Sequence, residues 1–160
     1  MALKLEDKKT FVKEVSAVAG ESLSAVAAQY RGLTVAEMTQ LRKEARNAGV
    51  YMRVVKNTLA RRAIQGTDFE CMKDTLKGPL LLAFAKDDPG AAARVIKNFA
   101  KEHEALKAVS LSAGGQLLPA SDLAKLAELP TLNQARAMLL GLFVAPITGL
   151  VRTLAEPPAM

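Results

Sequence analysis

Residues 49–63 read GVYMRVVKNTLARRA and predict a strand followed directly by a helix. Positions 50–55 are rich in β-branched side chains that alternate between two faces, which is typical of a strand. Asn57 is a favoured helix cap, and the apolar residues after it recur at helical spacing up to Gly66. The same periodicity places Arg61 and Arg62 on exposed turns of the helix.

Upstream of this unit, the pattern predicts a helix and another strand. In residues 5–19 apolar side chains recur at helical spacing, and Gly20 is expected to end the helix. Residues 23–30 are small and apolar with little charge, which favours a strand ending in a turn at Arg31 and Gly32.

The helix between these two strands has a recognisable start and end. Thr34 and Glu37 are spaced as a capping box, and Gly49 is expected to close the helix. The predicted buried face consists of Val35, Met38, Leu41 and Ala45. Arg42 and Arg46 lie four residues apart and are therefore expected to share the solvent-facing side.

Downstream, two more strands and two short helices are predicted. Positions 79–85 are uniformly apolar, which indicates a strand buried on both faces, and Asp88-Pro89 is expected to start the next helix. Residues 106–112 predict a fourth strand, and residues 121–129 a short helix. The alternation predicts an α/β or α+β domain over residues 1–130, and we favour α+β, with a small mixed sheet covered by helices.

The net charge of +6 is concentrated in one window of the chain. Residues 31–66 carry eight basic residues and two acidic ones, whereas the charges of the remaining chain cancel. A confined excess predicts a basic patch and an anionic partner, because guanidinium groups pair well with phosphate. An ordinary solvated charged face is the alternative. The candidate RNA-binding residues are Arg31, Gly32, Arg42, Arg46, Arg53, Lys56, Asn57, Arg61 and Arg62.

The chain offers little material for catalysis or for metal binding. His103 is the only histidine and Cys71 the only cysteine, so a thiolate cluster and an intrachain disulfide are excluded. The Gly114-Gly115 pair lacks the spacing of a dinucleotide-binding fingerprint. We therefore predict a protein that is not an enzyme and that needs neither cofactor nor metal.

A separate C-terminal helix is predicted over residues 131–160, with Thr131 as its cap. An apolar stripe on this helix either packs on the protein's own domain or fills a groove on a partner. Its candidate docking residues are Leu139, Leu142, Phe143, Ile147, Leu150, Val151 and Leu154.

The chain is expected to be cytoplasmic and to have no membrane partner. Its N-terminus lacks the basic-then-apolar order of a signal peptide. The longest apolar stretch, residues 137–151, is interrupted by Gly141, Pro146 and Gly149, and we expect it to be too short and broken to span a bilayer.

Three segments carry a resemblance to a known family: LTVAEMTQLRK at 33–43, GVYMRVVKNTLARRA at 49–63 and DPGAAAR at 88–94. Together they resemble bacterial large-subunit ribosomal protein ten, the stalk-base protein and bacterial counterpart of the P-zero family. Further matches extend this resemblance in register from residue 2 to the LVRTLA segment at 150–155.

The resemblance implies a non-catalytic protein with two tasks. Its globular domain, a ferredoxin-like variant, is expected to bind large-subunit ribosomal RNA next to ribosomal protein eleven. Residues 136–155 are expected to seat the N-terminal domains of two acidic stalk protein dimers, which recruit the translational GTPases, with Pro146 and Gly149 permitting a bend between them. The basic patch is further expected to bind the protein's own operon messenger. A free RNA-binding regulator of the same fold and a small α/β enzyme are the alternatives.

Overall fold

The computed structural model describes residues 5–103 and 105–155. It divides into two units, Met1–Leu129 and Pro130–Met160. The helices are α1 (Leu5–Glu21), α2 (Val35–Asn47), α3 (Asn57–Ala63), α4 (Ala91–Glu102), α5 (Leu123–Glu128) and α6 (Leu132–Ala155). The strands are β1 (Ser24–Gln29), β2 (Val50–Val54), β3 (Leu80–Ala85), β4 (Lys107–Ala113) and β5 (Gln116–Pro119). Single 3-10 turns occupy Glu70–Met72 and Ala120–Asp122.

The first unit is built on one five-stranded sheet with the order β2-β3-β1-β4-β5. All four strand pairings are antiparallel, so the predicted α+β class is confirmed but the sheet is not mixed. The β1–α2–β2 and β3–α4–β4 segments interleave their strands, as in the predicted ferredoxin-like variant. β5 was not predicted, and it follows β4 through Gly114 and Gly115, which both adopt positive φ.

Helices cover both faces of the sheet, because successive residues of a strand point to opposite sides. Val26 and Leu81 pack with α2, α4 and α5 in one apolar cluster. Ala27, Leu82 and Phe84 pack with α1 and α3 in the other. Every residue of β3 is buried, as the uniformly apolar sequence predicted.

Three details of the predicted helices are wrong. Gly20 lies inside α1, which continues to Glu21. Val35 is the first residue of α2 and is 86% exposed, so the buried face of the helix begins only at the partly buried Met38. Asn57 is not a cap but the first residue of α3, and its side-chain Nδ2 donates to the Gly78 carbonyl at 2.9 Å.

The start of α4 also differs from the prediction, since the helix begins at Ala91 rather than at Pro89. The Asp88 carboxylate accepts from the backbone N–H of Gly90 at 3.0 Å and pairs with Arg94 at 2.8 Å. Arg94 also donates to the carbonyl oxygens of Ala127 at 3.1 Å and Leu129 at 3.0 Å. One guanidinium group therefore ties the start of α4 to the last residues of the first unit.

The second unit contains α6, a single helix of 24 residues that runs through Pro146 and Gly149. The Gln134 N–H donates to the Thr131 hydroxyl at 3.3 Å, and the Thr131 N–H donates to Gln134 Oε1 at 3.0 Å. These two hydrogen bonds confirm Thr131 as the cap of this helix.

Residues Asn133–Ala155 of α6 are long and apolar enough to cross a membrane by length and composition alone. The expectation that this segment is too short and broken for a span is therefore wrong, because its glycines and proline lie within one continuous helix. Length and composition do not distinguish a membrane span from a helix that fills a protein groove.

Candidate functional site

The basic residues that the sequence grouped into one patch lie at different places on the first unit. One group lies where β1 and β2 end and β3 and β4 begin, since Gln29 is paired with both Leu80 and Lys107. Arg31 and Gly32 follow β1 there, and Lys56 and Asn57 follow β2. We call this region the sheet end.

Four exposed cations lie in the segments that meet at the sheet end: Arg31, Lys56, Lys77 and Lys107. None of them forms a salt bridge within the described part of the chain. Lys77 and Lys107 were not among the candidates predicted from the sequence, because both lie outside the basic window of residues 31–66. Only the antiparallel register, which places the starts of β3 and β4 beside the end of β1, reveals them.

A second basic region follows the edge of the sheet. β2 is an edge strand, because β3 is the only strand of the described residues that pairs with it. Arg42 and Arg46 line a groove together with residues 50–54, which include Arg53. Both arginines of α2 are exposed, as predicted. We call this region the edge groove.

Arg53 has partners of its own on the face that α1 covers. One of its guanidinium nitrogens is 2.8 Å from Glu14 Oε2 and donates to the Tyr51 hydroxyl at 2.9 Å. Its guanidinium carbon lies 4.4 Å from the centre of the Phe11 ring. The pKa of Arg53 is raised above its usual value, chiefly by the hydrogen bond to Tyr51. Burial opposes this rise, and the hydrogen bond to Glu14 adds to it. Arg53 is therefore a charged residue that is already partly paired within the protein.

The two arginines of α3 differ in their surroundings. Arg62 is exposed, as expected. Arg61 is half-buried and donates to the Leu76 carbonyl at 3.0 Å, so the expectation that it lies on an exposed turn is wrong. Its Nε is buried without a hydrogen-bond partner among the described residues. Arg61 consequently contributes to the packing of α3 against the segment before β3.

Gly32 has a structural reason to be glycine. Its φ is +100°, in the region that side chains rarely adopt, and a Cβ there would lie 3.4 Å from the Cβ of Ala105. The residue lets the chain turn sharply between Arg31 and the start of α2.

The predicted docking residues of α6 are all exposed, by between 54% and 79%. Three further apolar residues are exposed to a similar extent: Met138, Leu140 and Val144. The apolar surface of α6 is therefore wider than the stripe read from the sequence. The helical spacing of apolar residues in the sequence identified one face of α6, and that face does not include these three residues.

Nothing in the described residues resembles a metal centre, since no group of three or more His, Cys, Asp or Glu side chains comes together there. His103 lies 3.5 Å from Glu37 and stacks on Phe99 with 4.3 Å between ring centres. It therefore links the end of α4 to the start of α2.

Comparison with known proteins matches both units of the chain. The family model described as "Ribosomal protein L10" matches residues 3–101, and the one described as "Ribosomal protein uL10 C-terminal region" matches residues 129–155. Relatives named "Large ribosomal subunit protein uL10" include that of Thioalkalivibrio sulfidiphilus, which is 58% identical over 99% of this chain and 90% of its own length. Those of Alkalilimnicola ehrlichii and Nitrosococcus oceani are 59% and 57% identical over 99% of this chain and 90% and 86% of their own lengths.

Proposed function

This chain belongs to the uL10 family of large-subunit ribosomal proteins, and we propose that its two units have two separate tasks. The protein is a structural constituent of the large subunit of the cytoplasmic ribosome and is not an enzyme. In our proposal, the first unit binds ribosomal RNA at the base of the stalk. The C-terminal helix anchors the acidic stalk protein dimers that recruit translational GTPases.

The charge distribution of the first unit supports RNA binding. Arg31, Arg42, Arg46, Lys56 and Arg62 are exposed and form no salt bridge within residues 5–103 and 105–155. Unpaired cations of this kind bind phosphates and release counterions from RNA. We assign these five residues to direct phosphate contacts.

The other four candidates support the surface from within. Arg53 and Arg61 have internal partners, Asn57 bonds to Gly78, and Gly32 shapes a turn. Substitution of Gly32, Arg53 or Arg61 is expected to change RNA binding mainly by moving the residues that contact phosphate. Ribosomal protein eleven is proposed as the neighbour of this unit on the RNA.

The observation that carries the docking proposal is the exposed apolar surface of α6. A helix with exposed large apolar residues from Met138 to Leu154 needs an apolar partner, and a helix-in-groove complex provides one. The match of the C-terminal family region to residues 129–155 favours a protein partner over a lipid one. With 24 residues, α6 is about 36 Å long, which leaves room for two adjacent dimers.

A truncation that ends at Pro130 tests the division of tasks. We expect this variant to fold and to bind a transcript of the large-subunit ribosomal RNA as the full chain does. It should no longer capture the N-terminal domains of the stalk protein. The full chain is also mixed with phospholipid vesicles, because a preference for vesicles over stalk dimers would contradict the docking proposal. Capture of dimers by the truncated chain would place their site on the first unit.

We also propose that the same basic surface binds the leader of the protein's own operon messenger. This proposal predicts that the leader transcript and the ribosomal RNA transcript compete for one site. Simultaneous binding of both transcripts would contradict it.

A further inference from the structure

A cleft opens at the sheet end, between the residues that follow β1 and β2 and those that precede β3. Tyr30, Lys56, Asn57 and Pro79 contribute to its walls. Its volume is about 380 Å³, which lies within the usual range of small-ligand pockets. We call it the Tyr30 cleft.

We propose that the Tyr30 cleft binds one unpaired nucleobase of RNA, with the Tyr30 ring as the stacking surface and Arg31 and Lys56 holding the flanking phosphates. This inference rests on the proposed binding of ribosomal RNA. It adds to the phosphate contacts a site that recognises a base.

The surroundings of Tyr30 suit a stacking surface. The side chain packs partly against the core cluster under α2 and α4, which fixes its position, yet it remains partly exposed. The hydroxyl has no hydrogen-bond partner among the described residues. Every nucleobase has a flat π face, so a fixed and accessible aromatic ring binds unstacked bases.

Asn57 supplies a hydrogen-bond acceptor on the wall of the same cleft. Its Nδ2 donates to the Gly78 carbonyl at 2.9 Å, and because a carbonyl can only accept, the orientation of the amide is fixed. No donor in the described part of the protein contacts Asn57 Oδ1. An unpaired acceptor in a cleft fits the exocyclic amino group of a base.

The charges around the cleft favour a nucleic acid. Among the residues that the structure describes, no carboxylate contributes to its lining. Lys56 lines it, and Arg31, Lys77 and Lys107 lie on the segments that meet at the sheet end. None of the four has an ion-pair partner in the described ranges. A base that enters the cleft brings a phosphate on each side, and these cations match that charge.

The main test measures binding of a large-subunit ribosomal RNA transcript to full-length Tyr30→Leu and Tyr30→Phe proteins over a series of salt concentrations. Loss of base stacking in Tyr30→Leu should weaken binding by about 5-fold to 100-fold without changing the salt slope. Tyr30→Phe retains the ring and should retain most of the affinity. Lys56→Ala should show the opposite pattern, with a slope reduced by about one.

A second variant protects the test against misfolding of Tyr30→Leu. Thr58 is exposed on the wall of the cleft, so Thr58→Trp should fill the cleft without disturbing the core. Gln65→Trp places the same side chain on an exposed position of the chain that does not line the cleft. We expect the first substitution to weaken RNA binding and the second to leave it unchanged.

The outcomes separate this inference from the function on which it rests. If Tyr30→Leu and Thr58→Trp bind the transcript as tightly as the unmodified protein, the cleft holds no base and RNA binding stands. If these variants lose ribosomal protein eleven but not RNA, the occupant is a peptide and the inference is wrong. If the unmodified protein does not bind the transcript, the proposed function and the base site both fail.

Discussion

The two units use apolar residues in opposite ways. In the first unit Phe84 is 1% exposed, between the sheet and its covering helices, whereas Phe143 of α6 is 68% exposed. Both residues lie in apolar segments, so hydropathy alone does not separate them. An apolar segment can therefore be assigned to a core or to an interface only when its possible neighbours are known.

The largest expected effect concerns the docking surface of α6. We expect two adjacent anchors, Leu139, Leu142 and Phe143 in one and Ile147, Leu150, Val151 and Leu154 in the other. Each buried side chain should contribute about 1.5–3 kcal/mol to binding, so the double variant Leu150→Asp and Leu154→Asp should abolish one docking event. Native mass spectrometry should then count half the stalk dimers.

The control for this experiment is Arg152→Ala, which changes an exposed polar position of the same segment. It should keep the full complement of dimers. A double variant that also keeps the full complement, or one that loses every dimer, would contradict the two-anchor proposal and favour a single interface.

The second prediction compares the two phenylalanines directly. Phe84→Ala should lower the free energy of unfolding by about 3–5 kcal/mol, because it leaves a cavity where the ring packs beside Tyr51 and Phe69. Phe143→Ala should change it by less than about 0.5 kcal/mol, because the side chain is exposed. Denaturant unfolding followed by circular dichroism measures both. A large loss from Phe143→Ala would show that α6 contributes to the core of the first unit.

The third prediction concerns the last residues of the first unit. Arg94→Ala removes the ion pair with Asp88 and leaves the carbonyls of Ala127 and Leu129 without their donor. We expect a loss of about 1–3 kcal/mol, towards the lower end because the side chain is partly exposed, and faster hydrogen exchange in α5. Lys97→Ala breaks a more exposed bridge to Glu128 and should cost less than about 1 kcal/mol. Equal effects of the two substitutions would rule out this role of Arg94.

The fourth prediction separates surface cations from internal ones. Arg42→Ala and Arg46→Ala should each reduce the salt slope of RNA binding by about one and leave the stability unchanged. Arg61→Ala should instead lower the stability, because its bond to Leu76 is lost. Measuring thermal unfolding and salt-dependent binding for all three variants tests the distinction. It fails if Arg61→Ala reduces the slope without affecting the unfolding temperature.

The smallest expected effect compares the two helix caps. The backbone N–H of Thr34, and then its hydroxyl, hold the pKa of Glu37 below its usual value of 4.5. The folded pKa is lower than the unfolded one, so this stabilisation is present above pH 4.5 and is lost as the pH falls through the folded pKa. Gln134 occupies the same position in the cap of α6 and does not titrate.

Acid should therefore open the start of α2 before the start of α6, as amide exchange by nuclear magnetic resonance would show. Glu37→Gln should remove the difference, and Glu44→Gln, on the same helix, should not. Loss of protection at both caps over the same pH range would contradict this account.

Much of the first unit could be predicted from its sequence, because local signals define its elements. The capping box at Thr34 and Glu37, the alternation in β2 and the uniformly apolar β3 were all confirmed. β5 was missed because its four residues are too short to show a pattern beyond the turn before them. The start of α4 was misplaced because Arg94, which pairs with Asp88, also binds the distant carbonyls of Ala127 and Leu129, and the sequence does not show these tertiary contacts.

The candidate site was less predictable, because it depends on which strands are neighbours. The sequence identified the exposure of Arg42, Arg46 and Arg62 from helical periodicity alone. It could not show that Arg61 donates to the Leu76 carbonyl, because that bond depends on how α3 packs on the segment before β3. It also could not show that Lys77 and Lys107 lie on segments that meet the end of β1, because that depends on strand pairing. Helical phase is a local property, whereas the composition of a surface is not.

The edge position of β2 has a consequence for the protein before it joins the ribosome. The unpaired N–H and C=O groups of an edge strand can pair with a strand of another chain, and such pairing is one route to aggregation. Here the edge is only five residues long, and the exposed cations Arg42 and Arg46 line the adjoining groove. Repulsion between these arginines and the same arginines of a second copy disfavours pairing of the two edges. The two arginines that we assign to RNA binding are thus also expected to hinder edge-to-edge pairing of the free protein.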